Sequence, residues 1–349
     1  MPDNQEPIAC GTPFAHAGVI TMAHGGGGTA MHRLLNEVFL PVLENPMLAE
    51  EHDAARLQIG TSHLAFTTDT YVVQPLTFPG GDIGTLAVNG TVNDLAMAGA
   101  KPLYLSAGFI LEEGFPIAQL HELVRSMRNA ADAAGVSVVT GDTKVIERRG
   151  GGDGVFINTA GVGIIEHELE IGPGSVRPED AILVSGDIGR HGIAVMAKRE
   201  GLEFDTTLES DCACVAAEVL EMLDAGIEVH CLRDLTRGGL VSAANEIALG
   251  ARLNLHLREA AIPVGDAVRG ACEMLGFDPL SVANEGRFIA IVRHSDAGRA
   301  HTILRKYGGE AAIIGEIRAT PAAQVTIESA IGASRVLDML SGEQLPRIC

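Results

Sequence analysis

The chain contains no tryptophan, and aromatic residues make up only 4% of its 349 residues. Its cores must therefore be aliphatic, built from Ala, Val, Ile and Leu. Positive charge is also scarce: 25 Lys and Arg stand against 45 Asp and Glu, a net charge of -20 and a pI near 4.9. That balance argues against nucleic acid as a partner, because phosphate backbones would be repelled. It leaves room for a phosphate ligand, since acidic sites bind phosphates through Mg²⁺. No apolar run approaches the roughly 18 residues needed to span a bilayer. The acidic start, Met1 to Glu6, lacks the apolar core of a signal peptide. The expected location is the cytoplasm, with no membrane contact. Zinc spacing is missing as well: of six cysteines (10, 212, 214, 231, 272 and 349), only Cys212 and Cys214 lie close together, and no second pair complements them. Free thiols are expected, with Cys231 and Cys272 in apolar contexts that fit core packing.

What the chain does have is apolar mass, 46% of residues, and 42 glycines. Its length points to two domains. Strand-like and helix-like stretches mix in both halves, which gives an α+β (α/β layered) fold. The stretch Gly172-Pro173-Gly174-Ser175-Val176-Arg177-Pro178 is the strongest linker signal. The division is then a leader with a Gly-rich loop at 1–45, a domain at 46–172, an α/β domain at 173–333 and a tail at 334–349. Thr91 is expected to cap a helix with Asp94 in its first turn. Cys212 to Ala225 reads as a helix, and Ser334 to Gly342 as a short amphipathic one ended by its glycine.

Chemistry gathers in loops. Asp69, Asp94, Asp142 and Asp234 fall at the ends of expected strands or starts of helices. Small or hydroxyl residues flank them, among them Thr70, Asn93, Thr143 and Thr236. Carboxylates among glycines and threonines suit Mg²⁺ carrying a nucleotide triphosphate: the carboxylates hold the metal and the metal holds the phosphates. Singly, each aspartate reads as a turn or helix-end residue; their recurrence in four loops is what argues for a site. Gly25, Gly26, Gly27 and Gly28 precede a helix-like stretch, an arrangement that leaves backbone N–H groups open to an anion. A glycine run is more often a linker.

The chain stops at Leu345-Pro346-Arg347-Ile348-Cys349. A thiol at the terminus sits where backbone is most mobile. Pro346 stiffens its approach, and Arg347 beside it would favour the thiolate. Alone, this reads as a frayed end with an accidental cysteine.

Val92-Asn93-Asp94-Leu95-Ala96-Met97-Ala98-Gly99-Ala100-Lys101-Pro102 resembles a signature of the aminoimidazole-ribonucleotide-synthetase-like ATP-binding superfamily. Five further stretches resemble its hydrogenase-maturation branch, the HypE family. They are Ala23 to Gly28, Thr140 to Val145, Leu232 to Gly239, Asn284-Glu285-Gly286 and the terminal Pro346 to Cys349. The likeness runs from about residue 18 to 349. The glycine run departs from the pattern in lacking a serine, and the leader is long.

The resemblance implies a two-domain fold with a mobile tail and a homodimer formed through the N-terminal sheets. It implies carbamoylation of Cys349 by the carbamoyltransferase HypF. ATP and Mg²⁺ would then drive dehydration of the S-carboxamide to S-cyanate, and cyanide would pass to iron on the HypC–HypD complex for a nickel–iron hydrogenase. ATP and metal would be held by Asp69, Thr70, Asn93, Asp94, Asp142, Thr143, Asp234, Gly25, Gly26 and Gly27. The metal ligands would be Asp69, Asp94, Asp142 and Asp234. Glu285 would act as base beside Cys349, with Lys144 as second candidate.

Two alternatives stay open: a selenophosphate-synthetase-like enzyme, for which Cys10 is present but no lysine precedes Lys101, and a non-enzymatic scaffold with a docking peptide at its C-terminus.

Overall fold

The computed structural model describes residues 19–43, 45–148, 154–202, 208–308, 310–320, 323–340, 345 and 347–349. Expectations for the leader before residue 19, Cys10, Gly342 and Pro346 lie outside these residues.

An N-terminal helical run comprises α1 (Thr29–Leu34), a wider π-turn (Leu35–Phe39) and α2 (Leu40–Leu43). The first sheet uses β1 (Ala55–Ile59) and β2 (Ser62–Tyr71); a small ribbon, β3 (Thr77–Phe78) and β4 (Gly81–Asp82), leads into α3 (Ile83–Met97). Then come β5 (Lys101–Glu112), α4 (Ile117–Ala134), β6 (Ser137–Ile146) and β7 (Val155–Ile165). Among the described residues the strand order is β1-β2-β7-β5-β6, with only the β5–β6 pair parallel.

The second sheet is built from β8 (Ala181–Val184), α5 (Arg190–Glu200), α6 (Ala216–Asp224), β9 (Val229–Asp234), α7 (Gly239–Ala251) and β10 (Asn254–Arg258). It continues through α8 (Asp266–Leu275), β11 (Phe288–Val292), α9 (Ala297–Gly308), β12 (Ala312–Arg318), β13 (Val325–Glu328) and β14 (Ser334–Val336). Its order is β14-β13-β10-β12-β8-β11-β9. The period-2 alternation of strands sorts its side chains. Leu183, Leu232, Phe288 and Ala290 face a core continuous with α3, α6 and the first sheet. Ile182, Val184, Cys231, Ile289 and Ile291 face Leu240, Val241 and Ala244 of α7. Each Ile, Leu or Val so buried contributes about 1.5–3 kcal/mol, and α3 between the layers ties the halves together.

Several local expectations are corrected. The cap of α3 is Asp82, which accepts from Thr85 N–H at 2.8 Å, so Asp94 lies in the last turn rather than the first. Thr91 is interior and hydrogen-bonds Thr159 at 2.5 Å. Cys212 and Cys214 precede α6 in an irregular segment. Ser334–Val336 is a strand, not a helix: it pairs with β13, and Leu337 N–H donates to Val325 O. Asp142 sits inside edge strand β6 rather than in a loop.

Candidate functional site

The last three residues fold back onto the body of the protein. A Cys349 carboxylate oxygen accepts from Val72 N–H at 3.0 Å, and Arg347 O accepts from Gln74 N–H at 3.1 Å. Ile348 is buried in the main core. The tail, the glycine loop and Arg237 enclose a cavity of about 310 Å³, lined among others by Gly25, Gly26, Val72, Ala283 and Cys349.

Arg237, which sequence reasoning passed over, is the cation acting on the thiol. It follows α3-facing β9 in the turn that starts α7, and its Nη1 donates to Gly25 O at 3.1 Å. Arg237 lies in the fields of Cys349, when that thiol is ionised, and of Asp69, Glu285 and Asp234, which favour its charged form. The expectation that Arg347 supplies a thiolate is corrected. Burial pushes the Cys349 thiol well above its ordinary range; Arg237 opposes this, and Glu285, Asp69 and Asp234 add to it. The docked cysteine is a protonated thiol.

Glu285 is 3% exposed, and its Oε1 has no hydrogen-bond partner among the described residues. Burial first, then the fields of Asp234, Asp69 and Asp211, raise its proton affinity well above the carboxylate range. Its backbone is tightly held. Asp211 Oδ2 accepts from the N–H of Glu285 and of Gly286, both at 3.3 Å. A Cβ at Gly286 would lie 2.0 Å from Asp211 O, so only glycine fits. Asn284 braces the other side, accepting from Gly189 N–H at 2.7 Å and donating to Leu235 O at 2.9 Å.

Behind these lies an acidic group that the sequence placed in separate loops. Asp94 on α3 has its ionised form disfavoured by burial first, then by Asp234, Asp69 and Asp53. Thr67 Oγ1 donates to Asp94 Oδ2 at 2.8 Å, and Thr236 Oγ1 to Asp234 Oδ1 at 3.1 Å. Asp94 and Asp234 lie close enough for each to act on the other's protonation. Asp53, unnoticed in the sequence, pairs with Arg233 at 3.0 Å, yet its Oδ2 has no partner among the described residues. Carboxyls crowded until they retain protons fit a divalent cation, which would replace those protons. Among the described residues no three His, Cys, Asp or Glu groups converge as a ready metal cage. The cation would need further oxygens, which a nucleotide's phosphates supply.

Other expected residues sit elsewhere. Thr70, Asn158, Gly108 and Asp142 form one row across the first sheet. Three strand spacings of about 4.8 Å put Asp142 roughly 14 Å from Thr70. Asp142 and Lys144 pair with each other at 2.6 Å on the exposed edge, and this ion pair holds Asp142 below its usual range. Within one protomer neither joins the acidic group, nor does Thr143 of the same strand. Thr70 lies on the open face, where Asn158 Nδ2 donates to its hydroxyl at 3.0 Å. Asn93 is committed to structure: it donates to Ala213 O and accepts from Val215 N–H, both at 2.9 Å. Gly27, at φ 74°, packs where a Cβ would meet Arg237 O at 2.6 Å, and its carbonyl accepts from Ser242 Oγ at 2.9 Å. The glycine loop thus builds a wall of the cavity against Arg237.

Comparison with known proteins agrees with this architecture. Residues 51–165 match the family described as AIR synthase related protein, N-terminal domain, and residues 177–328 its C-terminal domain. Carbamoyl dehydratase HypE of Azotobacter vinelandii is 51% identical over 334 residues, 95% of this chain and 98% of that one. A solved HypE in complex with ATP superposes with a TM-score of 0.80 at 47% identity, covering 95% of this chain and 100% of that chain. A HypE in a HypE–HypF complex gives 0.83 at 42% identity, covering 88% and 99%.

Proposed function

This chain belongs to the HypE family of ATP-dependent carbamoyl dehydratases, and on that footing we propose that it converts an S-carboxamide on its own Cys349 into S-cyanate. The observation that carries this reading is the docked terminal cysteine in the field of a buried carboxyl that has, among the described residues, an unpartnered oxygen.

The carboxamide oxygen is a poor leaving group. Transfer of the ATP γ-phosphoryl group to it forms the C–O–P bond, releases ADP and removes one N–H proton, leaving S–C(OPO₃)=NH. Cleavage of the C–O bond then expels phosphate, which takes the second N–H proton, and leaves S–C≡N. Glu285 is the base for the first proton. Its raised proton affinity suits it to that role once ionised. Arg237 faces the developing phosphoryl charge. Asp94, Asp234 and Asp69 would hold Mg²⁺, which neutralises phosphate charge when bound. The cavity beneath the tail would have to limit the access of water, which would hydrolyse the activated amide.

The solved complex of a relative with HypF supports a HypF-type carbamoyltransferase as donor. An iron-bearing HypC–HypD complex would be the acceptor. A second copy of the chain would cover the open first sheet. There β6 is exposed along its whole length, with Val138, Val139, Val145 and Ile146 between 43% and 67% exposed, next to exposed Phe66 and Tyr104. Exposed apolar side chains gathered on one edge support the reading of an interface there. In such a dimer Asp142 and Lys144 would serve the partner's site. No helix among the described residues is long and apolar enough to cross a membrane.

The test is intact-mass analysis of the tail peptide after carbamoylation and addition of ATP. Loss of one water from the carboxamide supports the reading; a carboxamide that persists with ATP consumed or untouched overturns it.

A further inference from the structure

We propose that His191 is a positioning residue for the reacting cysteine: its Nε2–H grips the Ile348 carbonyl and so fixes where the Cys349 side chain lies relative to Glu285. His191 is wholly buried, and its Nε2 lies 2.9 Å from Ile348 O. A carbonyl only accepts, so Nε2 must carry the proton. The other ring nitrogen is satisfied in this tautomer. Nδ1 lies 2.8 Å from Ser210 Oγ, while the same Oγ accepts the Cys212 N–H at 2.9 Å. The Ser210 hydroxyl proton is therefore free to point at Nδ1, which accepts it. The Phe78 ring meets the imidazole edge-on, with centroids 5.2 Å apart at 90°.

The same element ties the grip to the base. Asp211 Oδ1 accepts from His191 N–H at 3.0 Å, and its Oδ2 accepts from the N–H groups of Glu285 and Gly286. The Ile348 carbonyl is thus tied to the Glu285 backbone through the His191 ring, the backbone N–H of His191 and the Asp211 carboxylate. Arg199 adds a second grip: Nη2 donates to Arg347 O at 2.7 Å and Nε to Gln74 O at 2.8 Å. Burial lowers the proton affinity of His191, so the ring stays neutral, as the assigned tautomer requires. The docking claim stands on this geometry alone; only its catalytic consequence rests on the dehydratase reading above.

The test uses the full chain and iodoacetamide, with Cys349 alkylation followed by mass of the C-terminal peptide. His191→Phe keeps the ring and removes the donor; His191→Gln returns an N–H near the Nε2 position; Ser210→Ala frees the tautomer. His191→Phe is expected to raise the Cys349 alkylation rate about tenfold, the effect of losing one buried hydrogen bond. His191→Gln should restore protection, and Ser210→Ala should fall between. In single-turnover dehydration of carbamoylated protein, His191→Phe should slow the chemical step with ATP affinity unchanged, and Gln should rescue it. A parent alkylation rate in folded His191→Phe overturns the proposal. Should that variant not fold, a parent rate in Ser210→Ala overturns it instead. If the parent protein itself forms no nitrile, the function reading fails, while the alkylation arm still decides the role of His191.

Discussion

A carboxylate oxygen of Cys349 accepts a 3.0 Å hydrogen bond from the backbone N–H of Val72, one residue beyond the strand that carries Asp69. The chain's last residue is thereby registered by main chain against the same stretch that supplies an acidic side chain to the site. The expected consequences follow from that placement.

Asp94→Asn should cut ATP cleavage at least about 100-fold, the scale of losing one preorganised charge at a phosphoryl site. It also removes a carboxyl whose ionised form burial and three neighbouring aspartates disfavour. The unliganded variant should therefore melt no lower than the parent. ATPase assay and calorimetry measure both; full ATPase activity would sink the assignment of this aspartate.

Glu285→Gln keeps the shape of the side chain and loses the base. It should accept a carbamoyl group on Cys349 as the parent does, then stall. The tail peptide would keep the carboxamide mass, without the loss of one water. Dehydration at the parent rate would move the base elsewhere, and Lys144 would be tested next.

Asp142 and Lys144 offer a test of the dimer. If each serves the neighbouring copy, Asp94→Asn and Asp142→Ala break different halves of one composite site. Both homodimers should be inactive. An equal mixture, dissociated and reassociated, should regain about one quarter of parent activity, because half the dimers are mixed and each holds one intact site. No recovery in confirmed mixed dimers would confine the site to one protomer.

Glu218 on α6 is 7% exposed, and burial pushes its carboxyl up to about 8 against the pull of Arg287. The folded chain then retains a proton that the unfolded chain has lost. That contribution to stability is fully present below the unfolded value of 4.5 and is lost as pH rises through about 8. Glu218→Gln should flatten the fall in melting temperature over this window, by an amount worth on the order of a few kcal/mol. An unchanged pH profile would show that Glu218 is ionised in the fold.

The strands Ala181–Val184 and Phe288–Val292 were plain in the sequence because central strands covered on both faces read as unbroken apolar runs. Helix α3 hid its start for a related reason. Thirteen of its fifteen residues are buried, so it has no polar stripe to mark a period, and Gly90 within it looks like a turn. That glycine is needed because a Cβ there would come within 2.3 Å of the Tyr71 hydroxyl. The segment from Ser334 has helical spacing of apolar residues, yet an open edge of β13 captures it as a strand. For the site, the aspartates of β2, α3 and β9 were legible as residue types in small-residue settings. Their convergence was not, since it depends on α3 lying between two sheets. Asp142 looked equivalent to them from its neighbours in sequence, and the register of β6 sets it apart. His191, Asp211 and Arg237 act through hydrogen bonds or fields on residues far along the chain, and no local pattern announces that.

Leu337 is anchored in the second sheet, and Cys349 lies twelve positions further along the chain. Fully extended, that length spans about 40 Å. On the reading proposed above, Cys349 is a substrate on a leash. Its concentration at the site is fixed by chain length rather than by cellular supply, and no free thiol of ordinary abundance can compete with it. The same leash draws a sphere around Leu337. Whatever loads the thiol, and whatever relieves it of its cargo, must bring its reacting atom inside that sphere.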